Sequence, residues 1–356
     1  METRNTETQY FKRFAKWRLT ILFLFLALVF TVALATAIGP TQISLPKIIG
    51  IIAEKIPFLN SLVSNGSSDI EETIVLQIRL PRVISAALVG AALAIAGVVL
   101  QGLLRNPMAD PYVLGLSAGS ALGASIAIGF GIRFTLGIID SIHLMAFIGA
   151  LATVFVVYNI ARTGPRVSMF TLLLAGIALT SFQLAIISSI MIIKAETVHA
   201  LLRWIFGSFI TSDWNNVKIA MPFIIGGSIV IYIFARQLNV MQLGEEQAQQ
   251  LGVDVERMKK IMLVLSSLIT ASAVAVSGII GFIGLIIPHM ARILVGPDHR
   301  ILIPSSALAG AIILVLCDIL ARTVIEPAEL PVGVFTSLLG VPFFLYLLRK
   351  KRGLAE

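Results

Sequence analysis

Charge is what this chain has least of. Only 13% of its 356 residues are Asp, Glu, Lys or Arg, against about a quarter in a soluble domain, and 57% are hydrophobic. That balance excludes an ordinary soluble protein and leaves a polytopic membrane protein. Cys317 is the single cysteine, so there is neither a disulfide framework nor a thiolate metal cluster. The histidines, His143, His199, His289 and His299, show no ligand spacing, and no metal site is expected. The dipeptide Gly-Lys never occurs, so the phosphate-binding sequence G-x-x-x-x-G-K-[ST] is missing. If this chain moves solute with ATP, another chain hydrolyses it. No H-E-x-x-H sequence occurs either, and nothing points to an enzyme.

What the chain has instead is apolar length. A bilayer core of about 30 Å takes about 20 apolar residues per helix. On that ruler, spans lie near 19–38, 83–104, 112–131, 143–161, 170–193, 217–235, 261–280, 302–321 and 332–348. Segment 284–297 is short for a crossing, but Gly278, Gly281 and Gly284 offer a turn before it, and with it the count is ten. The spans show no strand alternation, and backbone polar groups cannot face lipid unpaired. The expected fold is all-α and polytopic, with ten transmembrane helices in one domain covering 1–356.

Lys and Arg set the orientation. With ten spans and segment 1–18 inside, Arg105, Arg162, Arg166, Arg236, Lys259, Arg292 and the cluster Arg349 to Arg352 all fall inside. With nine, that cluster would fall outside. Both termini are therefore expected in the cytoplasm. The net charge of +8 is mostly this bias and is no argument for nucleic acid. The first span also resembles a signal peptide, with Ala35-Thr36-Ala37 as a cleavage site. Its apolar run exceeds the roughly 7–15 residues of a usual signal core, so a retained helix is expected.

The connections are mostly short. Segment 39–78 is the longest external one, rich in Pro, Ser and Asn around Ser61 to Asp69, and Leu45 to Ile56 could lie as a surface helix. Segment 198–216 reads as a short outer helix and a turn, with Trp204 and Trp214 at headgroup level. Gly115, Gly119, Gly123, Ala127 and Gly131 recur at four-residue steps, and Ala87, Gly90, Ala91, Ala94 and Gly97 do similar work in the second span. Small residues so placed let helix backbones approach closely. Asp110-Pro111 reads as a helix start. Asp318 and Arg322 form an i,i+4 pair that makes an intramembrane charge tolerable. No inverted internal repeat is visible.

One polar insert stands out. Leu243 to Arg257, LGEEQAQQLGVDVER, lies between the apolar stretches Val217–Ala235 and Ile261–Ile280. Glu245 and Glu246 suit a helix first turn, and Gly252 is a natural stop. A second short turn from Val253 leads into Arg257, Lys259 and Lys260. The insert, within a cytoplasmic loop 236–260, reads as two short helices that dock something outside the bilayer.

Several stretches resemble the permease subunits of type II ABC importers, the FecCD-like family that carries ferric siderophores, haem and vitamin B12. They are QIRLPRVISAALVGAALAIAGVVLQGLLRNPMADPYVLGLSAGSALGA (77–124), LLLAGIALT (172–180), LGEEQAQQLGV (243–253), GIIGFIGLIIPHMARILVGPDHRILIPSSALAGA (278–311) and DILARTVIEPAELPVGVFTSLLGVPFFLYLL (318–348). The resemblance runs from Gln77 to the C-terminus; the first 76 residues match weakly.

The resemblance implies ten helices per subunit in the plasma (inner) membrane. It also implies a second, identical permease, two ABC ATPase subunits carrying ATP and Mg2+, and an extracytoplasmic substrate-binding protein. No cofactor is expected on this chain. The coupling helices map to Leu243, Gly244, Glu245, Glu246, Ala248, Leu251, Gly252 and Val253. Arg79 and Arg82 of RLPR, and Arg322 of DILAR, map to binding-protein docking, where exposed Arg forks would meet carboxylates. The cytoplasmic gate maps to Asn106 and Met108, and to Ser168, Met169 and Phe170. Met169 and Phe170 replace small hydroxyl residues of some relatives, so a more apolar plug is expected. The pathway is expected along spans two, three, five, eight and ten. The expected cargo is a metal chelate, with ferric siderophore favoured over cobalamin-type corrinoid or haem. A stand-alone secondary transporter is the rival of another class; it needs buried carboxylates for ion coupling.

Overall fold

The computed structural model describes residues 2–39, 41, 43–55, 68–164 and 166–352. Its helices, in chain order, are α1 (Glu2–Ala37), α2 (Leu45–Glu54), α3 (Asp69–Thr73), α4 (Leu80–Leu103), α5 (Leu116–Gly129), α6 (Ser141–Ala161), α7 (Met169–Ile193), α8 (Val198–Ile205), α9 (Trp214–Ile233), α10 (Ala235–Met241), α11 (Glu245–Gln250), α12 (Val255–Ser277), α13 (Ile283–Val295), α14 (His299–Thr323) and α15 (Val332–Arg352). Among the described residues, 7 helices are long and apolar enough to cross a membrane; α5, α13 and the Val332–Tyr346 part of α15 are shorter apolar helices. The only strands among the described residues are two hairpins of two-residue strands. These are β1 (Thr135–Leu136) with β2 (Ile139–Asp140), and β3 (Arg162–Thr163) with β4 (Arg166–Val167). They are tight turns between helices and leave the α-helical reading intact.

Helix α4 is the axis. It is buried on nearly every side and packs on α14, α12, α13 and α9. Gly90 sits against the carbonyl of Gly310 on α14, and Gly97 against that of Gly284 on α13, so close that neither has room for a methyl group. Gly119 and Gly123 of α5 press likewise on Gly149 and Met145 of α6. The expected small-residue packing is therefore real at these positions. Gly131 is different: nothing lies near it, and its φ of +62° makes it a turn residue. Lipid tails supply no hydrophobic drive between helices, so close van der Waals contact at glycine seams has to hold the bundle. By contrast α1, α6 and α7 leave most of their apolar surface uncovered.

Three local expectations shift. Asp110 caps a 3-10 turn, Pro111–Leu114, instead of the third long helix itself. Gly115, at φ +76°, then reverses the chain into α5. The second short helix expected after Gly252 is the opening of α12, which starts at Val255 under an Asp254 cap. The surface helix of the external segment is α2, which buries Ile48 and Ile51 and exposes Ile49. The stretch 61–67 within Ser61 to Asp69 lies outside the described residues. Trp214 donates to the Leu76 carbonyl at 2.8 Å, which ties the start of α9 to the start of the second span.

Candidate coupling, gate and outer charge sites

The insert is a small braced platform. Gly244 takes φ +135° between α10 and α11, and Gly252 φ +82° after α11; side chains with a Cβ rarely adopt such values. Ala248 is the fully buried residue of α11, and Val253 N–H donates to its carbonyl at 3.0 Å. Leu243 and Leu251 are 64% and 63% exposed, and Glu245 and Glu246 are exposed between them. The insert thus presents two bare leucines flanking acidic residues on a braced polar platform. Behind it, Asn239 of α10 donates to Asp298 Oδ1 at 2.8 Å and accepts from the His299 backbone N–H at 2.8 Å, so α10 is pinned to the start of α14.

Lys259 and Glu256 complete the brace. Lys259 of α12 is buried, and its Nζ lies 2.8 Å from Glu245 Oε2 and 2.9 Å from Glu256 Oε1. The second oxygen of Glu256 accepts the Val167 backbone N–H at 3.0 Å. Lys259 had counted only as topological charge. A carboxylate three residues before a lysine on an amphipathic helix start was the available signal.

The loops that hold Asn106 and Met108, and Ser168 to Phe170, lie at the same end of the bundle. Asn106 Oδ1 accepts the Met108 N–H at 2.9 Å, folding the loop after α4 on itself. Ser168 Oγ accepts the Thr171 N–H at 3.2 Å and caps α7. Phe170 is 72% exposed, whereas Met169 turns partly into the core. Of the two residues expected in an apolar plug, only Phe170 is left bare, because consecutive helical positions point about 100° apart. No hydrogen bond joins Asn106 or Met108 to Ser168–Phe170 among the described residues. The two loops meet indirectly, where Gly176 of α7 abuts the Val113 carbonyl. Burial pushes the Asp110 carboxyl up to about 6, although the Tyr112 N–H bond favours its charged form. Gln101, which the sequence reading passed over, donates from Nε2 to the Leu285 carbonyl at 3.0 Å and locks α4 to α13 beside this loop. A cavity of about 350 Å³ opens there between Arg105, Gln242, His289 and Arg292.

At the opposite end the three arginines are not exposed forks. Arg79, Arg82 and Arg322 are all buried. Arg79 donates to the Thr36 and Ala37 carbonyls at 2.9 and 3.0 Å, and to Thr41 O. Arg82 is bidentate on Asp318, at 2.8 Å from Nη2 and 3.1 Å from Nε, and also reaches Glu329 at 2.9 Å. Arg322 bonds the Ala35 carbonyl and lies 3.7 Å from Asp318. The physical reason is cost. An unpaired charge at a span end is expensive, and the last carbonyls of α1 have no helical partner of their own. The expected Asp318–Arg322 pair exists, but the nearer partner of Asp318 is Arg82, some 236 residues away in sequence. Glu329 had gone unremarked.

Taken together, these elements are a helical membrane bundle seamed by glycine, with a braced polar insert at one end and a buried charge cluster at the other. The chain matches the FecCD transport family over residues 26–350. The cobalamin import system permease protein BtuC of Halobacterium salinarum is 45% identical, over 80% of this chain and 76% of that one. The hemin transport system permease protein HmuU of Yersinia pestis is 43% identical, over 82% and 88%. A solved structure described as an inward-facing metal-chelate type ABC transporter superposes with a TM-score of 0.80 at 32% identity, covering 93% of this chain and 98% of that chain. This chain belongs to the FecCD transport family. It is an ABC transporter permease, a multi-pass protein of the plasma membrane.

Proposed function

We propose that this permease imports a metal chelate handed over by an extracytoplasmic binding protein, driven by two separate ATPase subunits that dock on the insert. The observation that carries the reading is the platform Leu243–Val253: a braced, partly apolar surface on which Leu243 and Leu251 are largely exposed. ATP and Mg2+ belong to the partner, because the chain has no phosphate-binding loop. The working unit is a pair of identical permeases with ten spans each, the termini cytoplasmic, and the uncovered apolar faces of α7 and α15 turned to the second copy or the pathway. The cargo favoured is a ferric siderophore. Relatives named for cobalamin and for hemin keep corrinoid and haem as the alternatives within the same machinery.

Asn106, Met108, Ser168, Met169 and Phe170 form the inner gate. Arg79, Arg82 and Arg322 serve binding-protein docking by exchange: a partner carboxylate displaces Glu329, the most solvent-exposed member of the cluster, from Arg82. The arginines guide approach more than they add affinity. The stand-alone transporter gains no support, since Asp318 is engaged by Arg82 and Arg322 and is not available to carry an ion.

The test is gentle affinity purification from native membranes, with mass spectrometry of bound proteins and of any small molecule on the external partner. Recovery of a nucleotide-binding ATPase and a lobed binding protein is expected, and the ligand names the cargo. Recovery of this chain alone, in detergent that keeps other complexes whole, would refute the reading.

A further inference from the structure

The platform and the inner gate are 73 or more positions apart in sequence (Phe170 to Leu243), yet a continuous polar path joins them. It starts at Glu245 in the first turn of α11 and passes to the Lys259 ammonium at 2.8 Å. From there it passes to Glu256 at 2.9 Å and then to the backbone N–H of Val167 at 3.0 Å. Val167 is the residue before Ser168, whose hydroxyl caps α7, and its own side chain is buried.

Each link has an ordinary structural use. Glu256 suits the first turn of a helix, and Glu256–Lys259 is an i,i+3 pair. Two facts go beyond that use. Lys259 is only 4% exposed as a side chain while holding carboxylates from two different helices, and a lysine loses much hydration in such a position. Glu256 is also divided between two tasks. One oxygen serves the lysine and the other reaches off its own helix to the β3–β4 hairpin. A surface ion pair needs neither arrangement.

We propose that Lys259 and Glu256 are positioning residues that make the ATPase-docking platform and the inner-gate hairpin move as one rigid unit. The proposal rests on the importer reading, because it names the route by which motion imposed on Leu243–Val253 reaches Ser168 to Phe170. Coupling carried this way requires a contiguous network that keeps its arrangement while its two ends are displaced together. The buried ammonium is what holds the two helices in register. The Val167 bond then converts a shift of α12 into a shift of the α7 cap.

The experiment uses the full chain in nanodiscs with Cys317→Ser, and spin labels at Thr163→Cys on the hairpin and Gln250→Cys on the platform. The expected result is one narrow distance distribution with the native lysine and with Lys259→Arg. Lys259→Met and Glu256→Ala are expected to broaden it. In a second arm the ATPase recovered with the chain is present, Mg-ATP with vanadate is the probe, and maleimide labelling at Phe170→Cys is the readout. Lys259→Met should shrink the nucleotide-induced change in labelling rate about tenfold, within the range typical of coupled sites, while ATPase binding persists. Lys259→Arg should restore it. An unchanged distance distribution, or an unchanged nucleotide effect with the ATPase bound, overturns the relay alone. If no ATPase accompanies the wild-type chain, the importer reading falls and the relay falls with it. Should Lys259→Met fail to fold, Glu256→Ala decides by the same two readouts.

Discussion

Asp318→Asn isolates the outer charge cluster. Asp318 is 1% exposed as a side chain, with Arg82 at 10% and Arg322 at 4%. The native carboxylate faces two guanidinium groups, at 2.8 and 3.7 Å. With an effective dielectric of about 20, each attraction is on the order of 4–6 kcal/mol before desolvation is subtracted. Removing one partner of a buried pair costs about 3–5 kcal/mol, because the orphaned charge stays behind. Asparagine keeps the shape and one acceptor but leaves three arginines against Glu329 alone. A loss of about 3–5 kcal/mol of stability is expected, read from unfolding titrations of the purified chain in mixed micelles. The triple variant Arg82→Met, Asp318→Leu and Arg322→Met should recover most of that loss, since a well-packed apolar set often equals or betters a buried ion-paired triad. A single-variant loss under about 1 kcal/mol, the scale of a solvated surface pair, would refute the claim that burial decides this site. So would a triple variant no better than the single one.

Three further outcomes are expected. Gly97→Ala should destabilise the bundle by about 1–3 kcal/mol or more, because the added methyl meets the Gly284 carbonyl of α13; Gly131→Ala, in open space, should cost only the strain of its positive φ, and thermal melts compare the two. Leu243→Asp with Leu251→Asp should weaken ATPase co-purification roughly a hundredfold, since each exposed leucine contributes about 1.5 kcal/mol or more when buried, with the melt of the permease unchanged. Asp110 has its carboxyl raised to about 6 by burial, so ionising it costs the folded state; that cost is absent below about pH 3.8, grows to about pH 6 and is then constant. Asp110→Asn, which keeps the cap, should therefore raise the melting temperature at pH 7.5 and lose that advantage as pH falls through 5 towards 4; an advantage that is flat with pH would contradict the assignment.

The membrane class, the helical fold and the family were legible in the residues. The reason is physical: a hydrocarbon slab demands long apolar runs and closed backbone hydrogen bonding, and both are local properties of a chain. The glycine seams were legible too at Gly90, Gly97, Gly119 and Gly123, because helical spacing alone puts such residues on one face. The start of α12 was misplaced since Asp254 and Glu256 look like loop residues, though in the fold they cap and brace a helix. Arg79, Arg82 and Arg322 were expected in solvent because a motif states residue type and order, and says nothing of depth. Only the packing of α1 and α14 against the start of α4 buried them and supplied Asp318, Glu329 and the Ala35, Thr36 and Ala37 carbonyls as partners. Lys259 became more than a topological charge for the same reason. Its carboxylates come from separate helices, and the hairpin it reaches through Glu256 lies 89 positions away. Period and polarity along the chain decide what crosses the membrane. Which charges meet depends on how distant helix ends are brought together, and that only tertiary contact decides.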